Sequence, residues 1–262
     1  MAQRQLDGRR AIVTGASSGI GRCIALELSR AGVHVLACAR REEKLEELKA
    51  AAAEAGTIGI QTLAGDVTDG DFRSRLVEHC NAELGGVDVL VNNAGTTAMG
   101  QFKEAGEDRL RMIFEVNFFA MTELTRTAIP FLQNGDSPVV VNVSSVLGHR
   151  AVPYKSEYSA SKFAVHGFSD ALRAELKNDG IDVLLVSPGT TDSDFFDSAI
   201  EDSVGRNWKK GGAMAPEVVA RKTVAAIRKR RQEIILSAGG TFLVWLDRIC
   251  PPLANLLVAR YG

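Results

Sequence analysis

Tyr158 and Lys162 stand four residues apart in a segment whose periodicity predicts a helix over 157–178, so their side chains share one face. A free tyrosine ionises near pH ~10 and is a poor base at neutral pH. A unit positive charge about 4 Å away is worth roughly 4 kcal/mol at an effective dielectric of about 20, enough to draw that pKa down by roughly three pH units. Such a tyrosine can give a proton to a carbonyl oxygen or take one from an alcohol. Two serines, Ser144 and Ser145, follow a strand predicted over 138–143. A hydroxyl there can donate to the reacting oxygen and hold it beside the phenol.

A second constellation lies near the N-terminus. The strand predicted over 10–15 runs into Thr14-Gly15-Ala16-Ser17-Ser18-Gly19-Ile20-Gly21, and a helix is predicted from 19 to 31. Gly15 permits a sharp turn, while Gly19 and Gly21 let backbone approach a pyrophosphate. The helix N-terminus adds free N–H groups and a positive dipole end. The spacing is G-x-x-x-G-x-G, which differs from the general dinucleotide fingerprint. The next strand, 33–38, ends at Ala39-Arg40-Arg41. An NAD-binding domain places an acid at that point to hold the ribose 2′-OH. Here Ala39 stands in its place and Arg40 beside it offers a guanidinium suited to a 2′-phosphate. The third strand ends in Asp66-Val67, where Asp66 could cap the next helix or accept from adenine.

These groups need a frame. Strands are predicted over 10–15, 33–38, 59–64, 87–91, 138–143, 181–186 and 233–236. Helices intervene over 19–31, 42–55, 70–84, 157–178 and 216–230, with a long helical region over 104–133 broken in two. Continuous β-branched runs joined by helices indicate a parallel sheet covered on both faces. The expected fold is α/β, a doubly wound, Rossmann-type sheet in one domain over residues 1–240.

The ordered set Thr14-Gly15-x-x-x-Gly19-x-Gly21, Asn92-Asn93-Ala94-Gly95, Asn117, Ser145, Tyr158-x-x-x-Lys162 and Pro188-Gly189 resembles the classical short-chain dehydrogenases/reductases over roughly residues 8–236. The resemblance implies hydride transfer between NADP(H) and a small-molecule carbonyl or alcohol. It favours Ser145 over Ser144, because Ser145 lies thirteen positions before Tyr158, as the family's catalytic serine does. It implies that Asn117, Ser145, Tyr158 and Lys162 are catalytic, with Lys162 also binding the nicotinamide ribose and Asn117 supporting a water. Gly15, Ser17, Ser18, Gly19, Ile20, Gly21, Arg40, Asp66, Val67, Asn93, Ala94, Gly95, Pro188, Gly189 and Thr191 join Tyr158 and Lys162 in the implied cofactor site. Ser193 stands where the family often carries Thr and keeps a hydroxyl. The resemblance also implies a homodimer or homotetramer built on the helices at 104–133 and 157–178.

Other readings are narrower. Two enzymatic and non-enzymatic alternatives are a 3-oxoacyl thioester reductase and an NADP(H)-binding sensor without turnover. None of His34, His79, His149 and His166 falls in a Ser-His-Asp pattern, though His149 could touch a substrate; no G-x-S-x-G follows a strand. The formal net charge of -1 recruits no nucleic acid, and the basic run Arg228–Arg231 suits a helix C-terminus. Cys23, Cys38, Cys80 and Cys250 show no metal-ligand spacing and fit reduced thiols in a cytoplasmic setting. Residues 190–214 read as a functional lid, with Phe195, Phe196 and Trp208 on its inner face. The apolar tail, 241–262, could cover the pocket, meet a partner subunit or rest on a membrane; a protein contact is favoured over a membrane surface.

Overall fold

The computed structural model describes residues 2–192, 195, 199–202 and 213–260. Seven parallel strands form one sheet: β1 (Arg10–Thr14), β2 (His34–Ala39), β3 (Ile60–Ala64), β4 (Val89–Asn92), β5 (Val139–Val143), β6 (Asp182–Ser187) and β7 (Glu233–Ile235). Their order is β3-β2-β1-β4-β5-β6-β7. Strands such as VLVN and VVVNV are buried throughout, as central parallel strands must be.

Successive strand residues feed opposite faces. Val13 and Val35 join a core with Ile24 and Leu28 of α1 (Gly19–Arg30), Leu45 and Leu48 of α2 (Glu42–Glu54), and Ile227 of α7 (Pro216–Arg228). Ile12 and Leu36 join the other core with Phe72 of α3 (Gly70–Leu84), Leu124 of α5 (Ala120–Leu132) and Leu172 of α6 (Ser156–Glu175). This is a Rossmann-like sandwich.

The expected break in the 104–133 region is a π-helical turn, Glu115–Phe119, between α4 (Glu107–Phe114) and α5. Helix α6 ends earlier than the predicted 178, because Leu176 and Lys177 accept turn hydrogen bonds that lead into left-handed Gly180. At the far side, Arg230 of the basic run pairs with Asp182 at 3.0 Å.

The tail folds as two helices, α8 (Ala238–Ile249) and α9 (Pro251–Ala259). Ser237 caps α8 by accepting from the Gly240 N–H at 3.0 Å. Arg150 donates to Asp247 at 3.0 Å and to Asn255 at 2.5 Å, so one side chain holds both helices. Among the described residues no helix is long and apolar enough to cross a membrane.

Candidate active site

The strand order reverses between β1 and β4, which opens a crevice at their C-terminal ends. There Thr14 Oγ1 accepts from the Asn93 and Ala94 N–H groups at 3.0 Å each. Asn93 Nδ2 donates back to the Thr14 and Gly15 carbonyls at 3.0 and 3.2 Å. This stitching explains the glycines. Gly15 has φ +64°, and a Cβ there would meet Ala94 Cα at 2.9 Å; a Cβ on Gly21 would fall on Asn93 Nδ2 and the Gly15 carbonyl oxygen. Backbone is therefore exposed to the crevice at the start of α1, where no side chain stands in the way.

The crevice belongs to a cavity of about 1450 Å³. That exceeds the roughly 300–1,000 Å³ of an ordinary ligand pocket, so it has room for two molecules at once. Gly15, Ser17, Ser18, Gly19, Ile20, Arg40, Asp66, Val67, Asn93, Ala94, Gly95, Ser145, Tyr158, Lys162, Pro188, Gly189 and Thr191 all line it. Gly21 and Asn117 stand just behind the wall and shape it.

Helix α6 presents Tyr158 and Lys162 on one buried face, 8% and 4% exposed. Ser145, at the end of β5, hydrogen-bonds the Tyr158 phenol and also accepts from the Leu147 N–H at 3.1 Å. Its neighbour Ser144 turns away and donates to the Lys162 carbonyl at 3.2 Å. Lys162 Nζ donates to the Val143 carbonyl at 3.0 Å and lies 5.7 Å from the centre of the Tyr158 ring. Burial pushes the Tyr158 phenol up to about 12, against the pull of Ser145, and holds Lys162 down to about 8. This corrects the expected lowering of the tyrosine. Desolvation of the phenolate is the largest influence, and the Lys162 cation is itself costly to keep charged at a buried site.

Asn117, in the π turn, accepts from the Thr96 N–H at 2.8 Å and donates to the Thr96 carbonyl and Ser161 Oγ at 3.0 and 2.9 Å. Its amide thus ties the Asn93–Thr96 loop to α6 one residue before Lys162. π turns of this kind recur at functional sites.

At the other end, Asp66 Oδ1 accepts from the Thr68 N–H and hydroxyl at 2.9 and 2.8 Å. It does not cap α3; Asp69 does, accepting from the Asp71 N–H at 2.9 Å. Arg40 is exposed at the cavity edge. Its neighbour Arg41 donates to both Ser17 and Ser18 hydroxyls at 2.9 Å.

The 190–214 segment is fastened where it is described. Thr191 pairs with Met214, and Met99 pairs with Asp202. Arg109 reaches Glu201 at 3.1 Å from its buried pairing with Glu157 at 2.7 Å. The Phe195 ring lies 5.9 Å from the Tyr158 ring. Ser193, Phe196 and Trp208 lie outside the described residues.

Lys155 escaped linear reading, while the tail takes the pocket-covering place that was one of its three expected roles. Lys155 lines the cavity and is held down to about 8 by burial, partly offset by Asp202. Phe242, Leu243, Leu257, Val258 and Arg260 of the tail line the same cavity. The tail is brought there because a Cβ-free Gly189 seats Ser237, and Gly240 seats Val146. His149 does not line the cavity. Its Nε2 lies 3.0 Å from Ser187 Oγ and 3.2 Å from Glu233, and its ring packs edge-on to His166 at 4.4 Å. The ligand atoms of His149, His166 and Glu233 lie within 4.8 Å of one another, a group that sequence spacing does not reveal.

Residues 9–203 match the short chain dehydrogenase family. The chain belongs to that family of oxidoreductases. It is 31% identical over 262 residues to the bovine (Bos taurus) dehydrogenase/reductase SDR family member 7B, covering 95% of this chain and 79% of that protein. It is 34% identical over 198 residues to a 3-ketodihydrosphingosine reductase of Bacteroides thetaiotaomicron, covering 75% of this chain and 69% of that one. A short chain dehydrogenase/reductase from Burkholderia phymatum, crystallised with NAD, superposes with a TM-score of 0.86 at 25% identity, covering 95% and 96% of the two chains.

Proposed function

We propose that this short-chain dehydrogenase reduces an apolar ketone with NADPH, or runs the reverse oxidation, with Tyr158 as the proton-transfer residue. The observation that carries the reading is the convergence of Ser145, Tyr158 and Lys162 on one wall of a cavity whose other end is the glycine loop.

The residues present suit a nicotinamide dinucleotide. Gly15, Gly19 and Gly21 leave backbone N–H groups free for a pyrophosphate, and Asp66 and Val67 flank the adenine end. Arg40, with Arg41 beside it on Ser17 and Ser18, offers guanidinium groups to a 2′-phosphate where an NAD site has an acid. Pro188, Gly189 and Thr191 stand for the carboxamide. When bound, NADPH supplies the hydride.

Ser145 orients the carbonyl oxygen and donates to it as negative charge grows. Tyr158 gives its proton to that oxygen. A phenol held near 12 is fully protonated at neutral pH, the form needed for reduction. Lys162 sits behind it as the local cation and a ribose ligand. Asn117 holds the loop and α6 in register.

Met112, Val146, Leu147, Val152, Phe195 and Leu257 make the substrate end apolar. One relative is named for reduction of a keto compound, 3-ketodihydrosphingosine, which agrees with that wall. Exposed Phe119 and Phe163, 51% and 45% accessible, give the α5–α6 side an apolar face that suits a homo-oligomer.

The test is turnover with NADPH and NADH across apolar and polar ketones, beside Tyr158→Phe. The expected result is NADPH-dependent turnover that falls about 10²–10⁴-fold in the variant while cofactor binding persists. Turnover retained by Tyr158→Phe would overturn the mechanism; tight NADPH binding without turnover on any ketone would favour the sensor reading.

A further inference from the structure

The outer face of the α8–α9 hairpin is apolar and open. Phe242, Trp245 and Ile249 recur along α8 at helical spacing and are 63%, 55% and 77% exposed. Leu253 and Leu256 continue the stripe on α9. Single exposed apolar residues are ordinary, whereas a contiguous set this large marks a contact. Fraying does not explain it, because the hairpin is bolted down from the other side. Val244, Ala254 and Val258 are buried, Ser237 caps α8, and Arg150 bonds to Asp247 and Asn255.

The charges on the hairpin are few and mostly of one sign. Residues 238–260 carry Asp247, Arg248 and Arg260 alone. Asp247 is neutralised by Arg150 at 3.0 Å. The Arg248 guanidinium lies 5.7 Å from the centre of the Trp245 ring. A tryptophan with a cation above it, beside bare aliphatic side chains, is the composition that settles in the headgroup layer of a lipid surface.

We propose that this hairpin docks on an anionic lipid surface, with Trp245, Ile249, Leu253 and Leu256 in the interfacial layer and Arg248 among the lipid phosphates. The sequence favours a protein contact for the tail; two features of the structure argue for lipid instead. The stripe is continuous with the cavity, since Phe242 is both exposed on it and part of the cavity wall with Leu243 and Leu257. An apolar compound dissolved in the lipid therefore reaches the cavity without crossing water, whereas a second protein copy would cover that approach. A second copy also has its own apolar face at Phe119 and Phe163, which belong to the π turn and α6. The docking stands independently of the hydride-transfer reading; only delivery of an apolar ketone rests on it.

The test is sedimentation of the full chain with vesicles of phosphatidylcholine alone and of equimolar phosphatidylcholine and phosphatidylglycerol. The expected result is binding to the mixed vesicles, weaker to phosphatidylcholine alone, and reduced by salt. Trp245→Ser/Ile249→Ser/Leu256→Ser, which leaves the cavity lining untouched, is expected to lower partitioning about 10-fold or more with unchanged circular dichroism and NADPH affinity. Failure of the parent chain to bind either vesicle, or equal binding by the triple variant, would overturn the proposal. So would sedimentation equilibrium showing that the variant splits a dimer of a parent chain that ignores lipid. Vesicle binding by a chain that turns over no ketone would refute the enzymatic reading and leave the docking standing.

Discussion

Lys162 Nζ lies 5.7 Å from the centre of the Tyr158 ring and spends a hydrogen bond on the Val143 carbonyl at 3.0 Å. In the proposed proton transfer the two residues have different parts. Burial keeps the Tyr158 phenol protonated, and it makes the Lys162 charge easier to lose.

A pH prediction follows from the lysine. Its pKa is lowered from 10.5 to about 8 by burial, so it loses its proton as pH rises through about 8. The kcat/KM for NADPH, which reports the free enzyme, is expected to fall above that pH. A profile flat to pH ~10 would remove Lys162 from the proton and ribose chemistry.

The same burial makes a stability prediction. The folded pKa lies below the unfolded one, so the penalty is complete below pH ~8 and fades as pH rises toward 10.5. Lys162→Met is expected to abolish most turnover yet gain about 1–2 kcal/mol at pH ~7, after loss of the Val143 hydrogen bond is deducted. Denaturant titration at two pH values checks both the sign and the window.

Gly21 and Gly167 form a contrasting pair. Gly21→Ala drives a methyl into Asn93 Nδ2 and the Gly15 carbonyl, so a loss of about 1–3 kcal/mol and at least ~10-fold in NADPH affinity is expected. Gly167 lies inside α6 with nothing within 4 Å of a new Cβ. Gly167→Ala is expected to gain about 0.5–1 kcal/mol. Thermal unfolding and cofactor titration of the two variants are the checks.

Arg109 and Glu157, the residue before Tyr158, are both nearly inaccessible and pair at 2.7 Å. Arg109→Met leaves a buried carboxylate without its partner, at an expected cost of about 3–5 kcal/mol. Arg109→Met/Glu157→Leu is expected to recover most of it. A double variant no more stable than the single one would show that the pair supplies more than mutual neutralisation.

Cofactor preference is tested at Arg40. Arg40→Asp is expected to weaken NADPH by about 100-fold and shift preference toward NADH, through lost pairing and added repulsion. Unchanged preference in paired titrations would move the 2′-phosphate contact to Arg41.

The sheet, the glycine loop and the split helix at 104–133 were legible in the sequence, whereas the choice of Ser145 over Ser144 came from the family resemblance. Each of the first three rests on a local signal: strand and helix period, or backbone freedom at Gly15. Tertiary structure decided the rest. Asp66 and Asp69 both sit at the start of α3, and only the chain path chose Asp69 as the cap. The tail's lining of the cavity depends on Gly189 seating Ser237 and on Arg150 reaching Asp247 and Asn255, contacts between segments far apart in the chain. The direction of the Tyr158 pKa depends on how far its neighbours, Phe195 among them, exclude water from the phenol. Residue type and spacing specify which groups meet; burial, which sets the energy of their charged forms, is a property of the whole fold.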